Sequence, residues 1–239
     1  MRIGLRASPH LEKLVNGIKL CGDAFSSTND TGCDWWLAWG WPQARQVMRD
    51  GAPGSRIICV DAHPFSLMAG DRSGARILQL GNFGALAEYP PGDGTTIELP
   101  QLRHDERGLG LVIGQVYTRL QEQTGLVDVW HTPGFEAWAA GEMKKINRRF
   151  RPHPRMVAFD GGGEQRSLEE DLARTSGVLT WNSTAAVHAR LLGYPQIEIP
   201  AEAHGWGHMD IQRLAGLRAS PAALNDGSYW HSYREWLRV

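Results

Sequence analysis

Long apolar runs are missing from this chain, and with them the roughly 20-residue stretches that a membrane-spanning helix requires. The opening residues Met1-Arg2-Ile3-Gly4-Leu5-Arg6 have no apolar core of the kind found in a secretory leader and read instead as a first strand. A cytoplasmic protein with no membrane span is predicted. Cysteine is scarce: Cys21, Cys33 and Cys59 are odd in number and show no Cys-x-x-Cys spacing. That argues against a disulfide framework and a zinc ribbon and predicts reduced thiols. An excess of charge of either sign is also lacking: the net charge is -1, so no global field recruits polyanions. No fixed-period repeat and no low-complexity tract occurs. Asn182-Ser183-Thr184 matches a glycosylation sequon, but without an export signal the match is incidental.

What is present is enough apolar material, 42% of 239 residues, for one large or two small cores. Ten tryptophans, four of them between Trp35 and Trp41, have burial as their default use. Short apolar strands alternate with helical patterns: strand 2–5, helix 10–20, strand 35–39, helix 42–49, strand 56–60, then a strand over 76–80. Such alternation predicts a parallel, doubly wound sheet. Residues 88–107, broken by Pro90, Pro91, Gly92, Gly94 and Pro100, read as a linker or irregular crossover. A second series starts with strand 110–113 and continues with helix 134–145, a strand ending at His153, helix 167–173, strand 177–181, helix 183–192 and strand 196–199. Trp230, Tyr233, Trp236 and Leu237 recur at helical spacing in a terminal amphipathic helix over 225–239. The predicted fold class is α/β: two Rossmann-like parallel-sheet domains facing a cleft, with that helix at the end. The first domain spans 1–105 and the second 106–239.

Ligands of open α/β sheets sit at the carboxyl ends of the strands, which selects the candidates. In the second half these are Gly114 and Gln115, then His153 to Arg155, then Asn182, Ser183 and Thr184. Asn182 as an N-cap, followed by the backbone N–H groups of Ser183, Thr184 and Ala185, suits a phosphate or diphosphate. Arg151 and Arg155 would add bidentate contacts. Taken singly, the His-Pro-Arg segment also fits a surface turn and the Ser-Thr pair a plain helix start. In the first half, Asp61 and His63 follow the strand ending at Val60, and residues 81–84 follow strand 76–80. A carboxylate or imidazole there is a candidate general base, or else caps its turn. His204, His208 and Asp210 have metal-like spacing, but Gly205 and Gly207 oppose a helix and favour a loop. Lys144, Lys145, Arg148, Arg149 and Arg151 form a local basic strip.

The words Phe150-Arg151-Pro152-His153-Pro154-Arg155 and Leu179-Thr180-Trp181-Asn182-Ser183-Thr184-Ala185-Ala186 resemble those of GT-B nucleotide-sugar glycosyltransferases of the compact capsule-type and phage-encoded form. The similarity is strongest over 110–200. It implies a metal-independent transfer from a nucleotide-sugar co-substrate, with no other cofactor, to a hydroxyl acceptor. It implies donor contacts for Gly114, Gln115, His153, Arg155, Asn182, Ser183 and Thr184. The first domain is short for the class, which leaves the acceptor undefined. By analogy with phage proteins, working in the host cytoplasm, a hydroxylated base in DNA is one candidate. Two other readings fit the same architecture: a nucleotide-sugar epimerase, disfavoured by the few carboxylates beside the matched words, and a noncatalytic nucleotide- or nucleic-acid-binding module using the basic strip.

Overall fold

The structure, a computed structural model, describes residues 1–27, 30, 32–65, 75–80, 89–103, 108–115, 134–159, 165–181, 183–198 and 210–237. In chain order the elements are β1 (Arg2–Leu5), α1 (Glu12–Leu20), β2 (Ala24–Ser27), β3 (Trp35–Trp39), α2 (Gly40–Arg49), β4 (Ile57–Ala62), β5 (Arg76–Leu80), β6 (Gly110–Ile113), α3 (Phe135–Glu142), β7 (Arg148–Arg151), α4 (Pro154–Phe159), α5 (Leu168–Leu172), β8 (Gly177–Leu179), α6 (Thr184–Leu191), β9 (Gln196–Glu198), α7 (Ile211–Gly216), α8 (Pro221–Asp226) and α9 (Ser228–Trp236). They form two units, Met1–Ile97 with Asp210–Val239, and Glu98–Met209.

In the first unit the sheet order is β2-β1-β3-β4-β5. The first four strands are parallel, and β5 runs antiparallel to β4. The central strands are apolar on both faces, as strands covered on both sides must be: Trp36, Leu37 and Ala38 of β3 and Ile57 to Val60 of β4 are all buried. One face packs on α1, α8 and α9 through Ile3, Leu14, Ile18, Leu224, Trp230 and Tyr233. The other face meets α2 through Ala44 and Val47. Close approach of α1 and α8 depends on Gly17, where an added Cβ would lie 2.2 Å from the Leu224 carbonyl oxygen.

The terminal helix docks on this unit, whereas the sequence pattern placed the whole chain after 106 in the second. Its aromatic face completes the core over β1, β4 and β5, and the Trp230 indole N–H donates to buried Asp23 at 2.7 Å. Residues 89–97 have no regular structure yet are tied to the same unit. The Asp93 N–H donates to the Arg218 carbonyl at 2.7 Å, and the Gln212 side chain bonds both the amide and the carbonyl of Ile97. The irregular crossover is therefore strapped down, and the chain passes to the second unit at 97/98 rather than near 105.

The second unit carries an all-parallel sheet of order β7-β6-β8-β9. Leu111, Ile113, Val178, Ala189 and Tyr194 form its core. Ser167 heads α5 in a reciprocal capping box with Glu170. Cys33 and Cys59 are buried, and burial pushes the Cys59 thiol up to about 12. No helix among the described residues is long and apolar enough to cross a membrane.

Candidate functional site

Strand order decides which loops meet. In the second unit, the chain leaves β6 for β7 on one side, then crosses to β8 on the other side of β6. The topological switch point therefore falls between β6 and β8, where ligands of open α/β sheets bind at the carboxyl ends of the strands. Ile113 pairs with Arg151 and Val112 with Leu179, so the three strand ends lie side by side at one edge. With strands about 4.8 Å apart, β7 and β8 flank β6 across roughly 10 Å, within reach of one small ligand.

Gly114 shows how tightly the first two ends are joined. Its N–H donates to the Arg151 carbonyl at 2.7 Å, and an added Cβ would lie 2.8 Å from that oxygen and 2.9 Å from the His153 nitrogen. Only glycine lets these backbones approach so closely. Next to it, the side-chain nitrogen of Gln115 is buried and has no hydrogen-bond partner among the described residues. A buried amide donor left unpaired costs about 1–3 kcal/mol, which makes this nitrogen, beside the switch point, a candidate ligand donor.

His153 joins β7 to α4, and its carbonyl accepts from the amides of Met156 and Val157 at 2.8 and 3.2 Å. Pro154 opens α4, a helix absent from the elements read in the sequence, although proline suits a first helical position. The segment is held from behind: Gln165 Nε2 donates to the Pro152 carbonyl at 2.7 Å. Arg155 sits in α4, its side chain outside the described residues, as is Asn182. The cap of α6 is Ser183, one residue later than expected: its backbone is extended and its hydroxyl accepts from the Ala185 amide at 3.2 Å. This leaves the Thr184 amide and hydroxyl at the head of the helix. Trp181, which follows β8, packs with Phe135 and Trp138 of α3 in one aromatic cluster, with ring centroids 5.7 to 6.3 Å apart.

Arg151 lies differently from expectation. Its Nη1 is committed to Asp171 and to the carbonyls of Arg166 and Ser167, at 3.0 and 3.4 Å for the latter two. Arg149 bonds the other oxygen of Asp171 at 3.0 Å, and Arg148 and Lys145 share buried Glu142. Two buried carboxylates therefore tether Lys145, Arg148, Arg149 and Arg151 without cancelling the positive charge of the strip. Arg151 and Asp171 instead clamp residues 165–167 to the end of β7, an edge strand whose arginines also discourage strand addition. Asp171→Asn is expected to cost about 3 kcal/mol in urea unfolding, since two partly buried guanidinium groups lose their counter-charge. A cost below about 1 kcal/mol would show that the clamp contributes little.

In the first unit the structure separates the two candidates. Asp61 lies within β4, which runs two residues further than the sequence suggested. Its carboxylate accepts from the Ala62 amide at 2.8 Å, and burial raises its pKa, with that hydrogen bond and the charge of Arg76 opposing. His63 is fully buried: Nε2–H donates to the Leu214 carbonyl at 2.9 Å and Nδ1 accepts from the Phe65 amide at 3.3 Å. Burial holds its pKa down, and both nitrogens are engaged, so this imidazole fastens the end of β4 to α7 rather than meeting solvent. Because β5 is antiparallel, the chain leaves it at the opposite sheet edge from Asp61; residues 81–84, and His204 and His208, lie outside the described residues. Asp210 caps α7 by accepting from the Arg213 amide at 2.8 Å.

The sequence reading missed a cluster at this edge. Here too the order β2-β1-β3 places a switch point, between β1 and β3. The His10 ring stacks on Trp39 with centroids 4.6 Å apart, and the Arg76 guanidinium lies 4.9 Å from the same indole while its Nε donates to the His10 carbonyl. Recognising β2 would have revealed this switch point, but Ala24-Phe25-Ser26-Ser27 is too short and polar to read as a strand alone.

No family model and no curated protein matches the sequence. The fold is similar to that of a solved glycosyltransferase. KpsC of Thermosulfurimonas dismutans, a beta Kdo 2,7 transferase, superposes with a TM-score of 0.54 over 96% of this chain and 99% of that one, at 12% identity. A beta Kdo 2,4 transferase structure of KpsC from the same organism aligns at 0.43 over 91% and 89%, at 11% identity, too loosely to argue from.

Proposed function

We propose that the chain transfers a sugar from a nucleotide-activated donor to a hydroxyl acceptor, as the compact GT-B enzymes it resembles do. The observation that carries this reading is the gathering of Gly114–Gln115, His153 and Ser183–Thr184 at one switch point, where the buried Gln115 amide has no hydrogen-bond partner among the described residues. Donor contacts come from Gln115, His153, Arg155, Asn182, Ser183 and Thr184, while Gly114 and Arg151 fix the backbone around them. As the sugar departs, negative charge grows on the leaving phosphate, and preorganised N–H and O–H donors stabilise that charge more than they stabilise the ground state. These donors and the Arg155 cation make a metal-independent reaction our reading.

Asp61 is the candidate general base for the acceptor hydroxyl. A carboxylate with a raised pKa accepts a proton more readily than an ordinary one, and the reading assigns His63 to structure. Thermal-shift screening against nucleoside mono- and diphosphates and their sugars tests the donor site. The panel includes nucleotide-activated Kdo, because the fold neighbour is a Kdo transferase. A true ligand at 100 times its Kd adds about 2.7 kcal/mol, or roughly 5–10 °C in Tm for a chain of this size. Donor consumption only with an added acceptor, hydroxylated DNA bases among those tried, would then separate transfer from epimerisation and from binding alone. A panel that moves Tm nowhere would remove the basis of this proposal.

A further inference from the structure

The turn between α3 and β7 carries a surface feature that the transferase reading does not use. Ile146 is 96% exposed, the most exposed of the large hydrophobic residues described, and Met143 beside it is 40% exposed. Around them stand Lys144, Lys145, Arg148 and Arg149, with no acidic residue between 143 and 149. In a chain of net charge -1 this is a local concentration of positive charge around an apolar tip. Glu142 lies buried beneath the turn, with Lys145 Nζ 2.6 Å and Arg148 Nε 3.1 Å from its two oxygens. It therefore anchors the base of the turn and leaves Ile146 projecting; the Lys145 side chain remains half exposed despite the pair.

We propose that this turn docks the protein on an anionic lipid bilayer, with Ile146 and Met143 entering the headgroup boundary and Lys144 and Lys145 meeting lipid phosphates. An isolated apolar tip ringed by lysines fits a bilayer better than a nucleic acid. Nucleic-acid phosphates would satisfy the cations but offer no apolar phase for a projecting isoleucine. The turn precedes β7, and the Gly110 amide at the start of β6 donates to the Asn147 carbonyl, so it lies at the amino edge of the sheet. Docking there keeps the carboxyl edge of this unit, with its candidate ligand site, away from the membrane by about the length of a four-residue strand, roughly 13 Å. This inference stands independently of the sugar-transfer proposal.

Co-sedimentation of the full chain with large unilamellar vesicles tests it. Wild type is expected to partition onto vesicles of 30% phosphatidylglycerol in phosphatidylcholine at least fivefold more strongly than onto phosphatidylcholine alone. Ile146→Asp should reduce that partition roughly tenfold, and Ile146→Trp should raise it. Because this side chain touches solvent, neither variant disturbs the core, and unchanged far-ultraviolet circular dichroism confirms that. Absence of binding to the anionic vesicles in 50 mM salt overturns the proposal. So does equal partition of wild type and Ile146→Asp, which would leave charge alone at work.

Discussion

Asp61→Asn is expected to lower kcat by 10²- to 10⁴-fold while raising the melting temperature at pH 8. The first effect is the usual worth of a positioned general base. The second follows from burial. Because the folded pKa of Asp61 lies above its unfolded value, the folded state binds the proton more tightly. Its ionised form opposes folding, so the stability associated with the protonated side chain is lost as pH rises from the ordinary carboxylate range through the raised value. Asn keeps the acceptor for the Ala62 amide without the charge. Thermal melts from pH 4 to pH 8 should show wild type losing ground to Asp61→Asn as pH rises, with a gap of a few degrees at the upper end, at roughly 2–4 °C per kcal/mol. Lower stability of the variant throughout would mean that the carboxylate is a satisfied structural group.

Gly114→Val is expected to weaken donor binding by about 100-fold. Its Cβ would fall within 3 Å of two backbone atoms, the Arg151 oxygen and the His153 nitrogen, and backbone cannot swing aside as a side chain can. The ends of β6 and β7 must then part by a substantial fraction of an ångström, and misplacement on the 1 Å scale typically costs that factor. Overpacking also destabilises by about 1–3 kcal/mol, so affinity is to be measured by calorimetry well below the melting temperature of the variant. Retention of wild-type affinity would show that the donor does not lie across these strand ends.

Much of this arrangement was legible in the sequence because buried parallel strands are short continuous apolar runs. Gly110 to Ile113 and Gly177 to Leu179 announce themselves that way, and the polar run 182–184 marks a helix start, with the cap falling on Ser183 rather than Asn182. Direction and partner choice were not legible. Nothing local in Arg76 to Leu80 says that it runs antiparallel, since that follows from which edge it joins. The apolar stripe of α9 says that the helix docks, but its host is set by the shape of the surface left open over β1, β4 and β5. Arg151 has the chemistry of an anion ligand, yet Asp171, 20 residues away, reaches it first. His63 similarly carries catalytic chemistry, and only the fold reveals that Leu214 and Phe65 already occupy both nitrogens.

The central claim is that the carboxyl edge of β7, β6 and β8 receives the phosphates of the donor. Titration of ¹⁵N-labelled protein with the nucleoside diphosphate selected by thermal shift tests it most directly. The account predicts that the backbone amides of Gln115, His153, Ser183 and Thr184 move together and saturate at a single Kd. Saturable binding that leaves those four amides unmoved while others shift would contradict it.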